Sequence, residues 1–470
     1  MGMIRRSVTI PLALALGVAP VLLASCSSGS SNSSSTTQAS SSNCSKSVLD
    51  KASGPITINF WNSMPRANGV ELQKLTDQFN SSQSKIHVNL VNQSDYDTTF
   101  QKYKAGLSNG QLPDVVQLQD TDTQAAIDTQ SFTSAQSCFA GFNYKLGDLL
   151  PQATSYYTIN KNLWAMPFSV SAPVLYYNTV AFKKAGIANP PATLAEMTAD
   201  AKTLHAAGVG GMGFKMDPWS FWTWLGTENS LFANSNNGRT ARATAVTFNN
   251  SVGTSVFTSL SQMVAAGDSA TNAYTGSSVY DNLLGIGSGK YSMTIDTSAA
   301  LGTIEQLLSS GQYPNVGLGV APFPPASAGA KGGVAPAGNA LWISSKSSPA
   351  KQSAAFEFIS YLDSTDSQTA WAAGTGYIPL RASSAQSKTI QDLWNAKPYY
   401  KVAYTSITSA PQSYATSGPV IGPFADVRTA LASAEASMFV NGTSPEAALK
   451  AASAASDAAI TSYDQRLGVN

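Results

Sequence analysis

The stretch Ile56-Thr57-Ile58-Asn59-Phe60-Trp61, followed by Val70 to Phe79 and then by Ile86-His87-Val88-Asn89-Leu90, decides the fold. In the first and third pieces apolar residues alternate with polar ones, the period of a strand. Between them, Val70 to Phe79 has the spacing of a helix. The unit repeats with a helix over Tyr96 to Leu107 and a strand over Val115 to Leu118, the strand and helix alternation of a mainly parallel α/β sheet. Further on, Leu175 to Asn178 reads as a strand and Val180 to Ala185 as a helix stopped at Gly186. A capped helix then opens at Thr193, with Glu196 three residues later, and closes at Gly208. A strand over Ser292 to Ile295, a helix over Leu301 to Leu308 and a strand over Val316 to Val320 lead into a Pro/Gly/Ala-rich loop, Pro322 to Gly338. The remainder is mostly helical: Pro349 to Leu362 is capped by Ser348, and the last helix opens at Ser444-Pro445.

Working outward, 470 residues with 43% hydrophobic content can build large buried cores. Charged residues are only 12%, and 28 Lys and Arg nearly cancel 27 Asp and Glu, so no basic field exists to hold nucleic acid. With 3 cysteines and 2 histidines, metal centres and hydrolytic triads have few residues to draw on. No metal or cofactor is expected.

The N-terminus has the order of an export signal: Arg5 and Arg6, then a nearly continuous apolar run from Val8 to Ala24. The run ends in Leu23-Ala24-Ser25-Cys26, which resembles a bacterial lipobox. Residues 1–25 are therefore read as a lipoprotein signal peptide and Cys26 as the lipidated residue, anchoring an exported protein to the outer face of the cytoplasmic membrane. A serine-rich stretch, residues 26–45, reads as a flexible tether with a reach of roughly 25 Å. Cys44 and Cys138 remain as an even pair in an oxidising compartment, open to a disulfide or to two free thiols.

Specific segments carry a resemblance. Ile58-Asn59-Phe60-Trp61-Asn62-Ser63-Met64 and Gly110-Gln111-Leu112-Pro113-Asp114-Val115-Val116 resemble the extracellular solute-binding proteins (family 1) of ABC importers, as does Pro173-Val174-Leu175-Tyr176-Tyr177-Asn178. Gly374-Thr375-Gly376-Tyr377-Ile378-Pro379 and Val427-Arg428 are similar to the branch that binds glycerol-3-phosphate. The resemblance implies a periplasmic-binding-protein-like α/β fold, with two lobes closing by a hinge on a ligand cleft between them. Residues 46–168 and 294–342 are expected in lobe 1, and 169–293 and 343–470 in lobe 2.

The same resemblance implies the site. Arg428 would grip a phosphate with its planar guanidinium, against the alternative of a surface arginine paired with Glu435 or Asp426. Tyr377 would donate its phenol from a Gly-Tyr-Ile-Pro turn. Trp219 and Trp222, three apart, would share a helical face at the ligand, while Trp224 packs in the core. Asp120 would accept from ligand hydroxyls, although the family pattern favours a glutamate after an aromatic, and Asp122 is the alternative. Tyr96, Ser171, Ser298 (with Thr297 one position away as the alternative) and the backbone of Gly338 match further contacts. The expected protein is a monomeric receptor that captures glycerol-3-phosphate or a glycerophosphodiester and hands it to a membrane permease. A receptor for a neutral oligosaccharide is the second reading. An exported glycosidase is the third, disfavoured because no acid pair stands in a recognisable constellation.

Overall fold

The computed structural model describes residues 43–272 and 281–469. The expected signal peptide, Cys26 and most of the tether lie outside the described residues. The fold begins earlier than the serine-rich composition suggests. Cys44 is fully buried and bonded to Cys138, and Ser45 caps the helix Lys46–Lys51 by accepting from the Val48 N–H. One disulfide thus closes a separation of 94 residues and puts Cys44, read from sequence as tether, inside the fold.

Two sheets organise the chain. The first runs Ile86–Asn92, Ile56–Asn62, Val115–Gln119, Ala337–Ser344 and Phe132–Thr133, with Met166–Ser171 also paired to Ala337–Ser344. The second runs Ser269–Asn272, Met212–Lys215, Met293–Thr297, Pro173–Asn178 and Leu318–Pro322. Ile56, Ile58 and Phe60 are buried, as their alternation requires, whereas Val115, Val116 and Leu118 are buried together because their strand is central.

Each sheet is mixed rather than mainly parallel. Ile56–Asn62 pairs in parallel with both neighbours, but Ala337–Ser344 is antiparallel to its own. Likewise Pro173–Asn178 is antiparallel to Met293–Thr297 and Leu318–Pro322. The reason is connectivity: Pro173–Asn178 and Ala337–Ser344 each follow a strand of the other sheet and enter their own from that side.

The same crossings correct the expected lobe boundaries. Thr294 to Thr297 of the strand Met293–Thr297, and all of Leu318–Pro322, assigned by sequence to lobe 1, pair in the second sheet. The helix Pro349–Leu362, assigned to lobe 2, packs under the first sheet, where Phe358 meets Phe60 and Phe79 edge-on at 6.1 and 5.0 Å. Trp371 of the next helix, Thr365–Gly374, stacks on Phe168 of the first sheet. The long C-terminal helices Phe424–Asn441 and Pro445–Leu467 pack on each other and on Ser251–Ala265, beside the second sheet.

Between the two halves, Arg242 makes a two-pronged contact with Asp128 at 2.9 Å and holds Asp464 at 2.7 Å through Nε. Among the described residues no helix is long and apolar enough to cross a membrane.

Candidate functional site

Where the sheets' strand ends meet, a cavity of about 380 Å³ opens, and eight of the nine residues singled out from sequence line it. They arrive from separate segments. Tyr96 starts the helix Tyr96–Asn109, which Asp95 caps by accepting from the Thr98 N–H. Its hydroxyl accepts from Asn339 Nδ2 at 2.9 Å and hydrogen-bonds Tyr377. Tyr377 is held from behind by stacking on Trp371, with centroids 5.5 Å apart. Asn339 in turn accepts from Gln117 at 2.7 Å, so a buried amide chain fixes this floor.

Asp120 follows the strand Val115–Gln119 directly. Its Oδ1 accepts from the Thr121 N–H at 2.7 Å and its Oδ2 from the Gly338 N–H at 3.0 Å. Gly338 sits at φ +140, and a β-carbon there would lie 1.9 Å from the Ser169 carbonyl oxygen. Only glycine allows that close approach. Ser171 receives a hydrogen bond from Thr297 Oγ1 at 3.0 Å, where the chain passes between sheets.

Ser298 is the residue the structure does not bring to the cavity. It is fully buried, its N–H donating to the Ala172 carbonyl and its hydroxyl accepting from the Ala172 N–H. The turn Ser298–Ala300 begins there, and the neighbours Thr297 and Ala299 form the wall instead.

On the opposite wall, the helix Trp219–Thr227 presents Trp219 and Trp222 together, and Trp224 is fully buried as expected. Trp222 does two jobs. It borders the cavity yet is only 8% exposed, packed edge-on against Phe232 and Phe424. Arg428, in the first turns of Phe424–Asn441, lies with its guanidinium carbon 6.0 Å from the Trp222 ring. Its Nε is 3.4 Å from Asp217 Oδ1, an acidic neighbour that sequence did not suggest.

Asp217, Lys215, Arg66 and Asp296 also line the cavity and were not anticipated from sequence. Only Asp217 carried a signal, as an acidic residue just ahead of a tryptophan-rich helix, where it accepts from the Trp219 N–H at 3.2 Å. Beyond Arg428, a second chamber of about 590 Å³ adjoins the first and is lined by Phe100, Lys104, Asp122, Phe424 and Thr429.

Burial pushes the Asp120 carboxyl up to about 7, although hydrogen bonds from the backbone and the Arg428 charge pull it down. Burial also raises Asp122 to about 8, with repulsion from Asp97 adding to it, and Asp296 to about 6. In an unfolded chain these carboxyls titrate near 3.9, so between roughly pH 4 and 8 the folded protein binds more protons. Stability therefore falls as pH rises through that window. The ligand-free protein should show a lower unfolding midpoint at pH 8 than at pH 5 by scanning calorimetry, and Asp120→Asn should flatten part of the slope. A midpoint that rises from pH 5 to 8 contradicts this assignment.

The sequence profile of the bacterial extracellular solute-binding proteins matches residues 74–398, about two thirds of the chain. The chain belongs to this family.

It is 26% identical over 428 residues to the sn-glycerol-3-phosphate-binding periplasmic protein UgpB of Yersinia pseudotuberculosis, covering 87% of this chain and 93% of that one. The UgpB of Salmonella typhimurium is also 26% identical, over 409 residues. Among solved structures, UgpB of Mycobacterium tuberculosis in complex with glycerophosphocholine superposes with a TM-score of 0.73 at 20% identity, covering 88% of this chain and all of that one. The GacH receptor of Streptomyces glaucescens, solved unliganded and with acarbose, gives 0.72 at 20% identity, covering 87% and 99%. This solute-binding protein therefore has the two-lobed α/β architecture of these receptors, and its cavity lies between the halves.

Proposed function

We propose that this protein is the receptor of an ABC importer that captures a glycerophosphodiester or glycerol-3-phosphate outside the cytoplasmic membrane and delivers it to the permease unchanged. The observation that carries this reading is Arg428 on the cavity wall, next to the Trp222 ring and within reach of the space bordered by Asp120 and Gly338. A guanidinium matches two phosphate oxygens, Asp120 can accept from glyceryl hydroxyls, and the adjoining chamber offers room for the second alcohol of a diester. The sn-glycerol-3-phosphate and glycerophosphocholine bound by the UgpB relatives point the same way. Tyr96, Ser171, Trp219, Trp222 and Tyr377 complete the proposed contacts. Thr297 takes the place that sequence assigned to Ser298. The protein acts by binding rather than turnover, as its family does.

A neutral oligosaccharide is favoured by one specific observation: Arg428 already has Asp217 beside it, and the paired tryptophans offer rings to a sugar. Thermal-shift measurement separates the two, because a specific ligand raises stability by RT ln(1 + [L]/Kd). Glycerophosphodiesters should raise the midpoint and maltose-like sugars should not. The reverse pattern would replace the proposal with the sugar receptor.

The lipid anchor on Cys26 belongs to the same proposal. Cys26→Ala should leave the unfolding midpoint unchanged and release the protein from membranes, since among the described residues burial begins at Cys44, well after Cys26. Metabolic labelling with a fatty acid checks it, and continued incorporation in the mutant would refute it.

A further inference from the structure

Arg428 and Asp217 face each other inside the cavity, each side chain 16% exposed. The Asp217 carboxylate is fixed there from the other side, because the same oxygen accepts the Trp219 backbone N–H at the start of the tryptophan helix. It is thus an anion built into the wall at the position where a ligand's phosphoryl group would meet the guanidinium. The rest of the wall does not offset it: besides this pair, four of the described lining residues are aspartates and two are lysine or arginine.

We propose that Asp217 sets the charge selectivity of the cavity: its carboxylate shares Arg428 with the ligand and repels the phosphoryl group, so that a singly charged phosphodiester is taken in preference to a doubly charged phosphomonoester. This rests on the reading above that Arg428 meets a phosphoryl group. Coulomb repulsion grows in proportion to the ligand's charge, and a phosphomonoester carries about −1.5 to −2 at neutral pH against −1 for a diester. Removing the carboxylate charge should therefore help the monoester about twice as much, on a logarithmic scale, as the diester. Asp217→Asn is the suitable change, since its amide oxygen still accepts the Trp219 N–H and keeps the helix start intact.

The experiment is titration calorimetry at pH 7.5 on the purified protein and on Asp217→Asn, using sn-glycerol-3-phosphate, glycerophosphoglycerol and maltose. Wild type should bind the diester more tightly than the monoester. Asp217→Asn should tighten the monoester roughly tenfold and the diester roughly threefold. Asp217→Glu, which keeps the charge, should retain the wild-type order. A wild type that prefers the monoester overturns the proposal without recourse to any variant. Equal changes for both phosphate ligands, or weakening of both, would make Asp217 a structural cap and also overturn it. If maltose binds and neither phosphate compound does, in either protein, the phosphate reading itself falls and this inference with it.

Discussion

Arg428→Ala is expected to weaken binding of a glycerophosphodiester by about 30-fold to several thousand-fold, a loss of roughly 2–5 kcal/mol. The guanidinium stands against Asp217 and its charge pulls the Asp120 carboxyl down, as it does Asp122 after the larger effect of Lys104. Its removal takes away the phosphate's fixed partner and leaves the Asp120 and Asp217 carboxyl groups on the wall of the space the phosphate would occupy. Arg428→Lys should restore only part of the loss, because an ammonium cannot make the two-pronged contact. A neutral disaccharide would lose little beyond one hydrogen bond. Titration calorimetry of wild type and both mutants reads the difference, and tight phosphodiester binding that survives Arg428→Ala would contradict the role given to this residue.

Trp222→Ala is expected to lower the free energy of unfolding by about 3–5 kcal/mol as well as to weaken ligand binding. Its ring is buried against Phe232 and Phe424, with centroids 6.2 and 5.3 Å away, so truncation leaves a void in the second lobe's core. Trp219, one turn earlier and only half-buried, should behave differently: Trp219→Ala should cost affinity with a stability loss of about 1 kcal/mol or less. Urea titrations monitored by circular dichroism give both values. Equal destabilisation by the two substitutions would remove the distinction between a ring that walls the cavity and one that also supports the core.

The contrast between these tryptophans marks where sequence reasoning reaches its limit. Helical spacing puts Trp219 and Trp222 on one face, but the depth at which Trp222 is covered depends on Phe232 and on Phe424, the latter from a distant part of the chain. Local patterns served well where local physics decides: the alternation of Ile56, Ile58 and Phe60, the cap at Ser348 with Pro349 behind it, and the end of the helix at Leu362. They failed where long-range pairing decides. Nothing in Met293–Thr297 tells which sheet it joins, and the helix Pro349–Leu362 carries no mark of the sheet it covers. Of the two candidates Ser298 and Thr297, only Thr297 borders the cavity, because a strand's alternation stops where a turn begins and Thr297 is the last side chain the strand aims. Asp217 was overlooked since an aspartate before a helix has an ordinary role as a cap, which it fills while also facing Arg428.

The central claim, that the cavity between the lobes receives a phosphoryl ligand on Arg428, is tested most directly by a crystal structure of the protein with sn-glycero-3-phosphocholine. The account predicts phosphate oxygens at roughly 2.7–2.9 Å from the Arg428 guanidinium, with the glyceryl hydroxyls directed at Asp120 and Gly338. A phosphate bound away from Arg428 would contradict it. So would a cavity that stays empty of this ligand yet accepts a disaccharide with a sugar ring laid against Trp219 and Trp222.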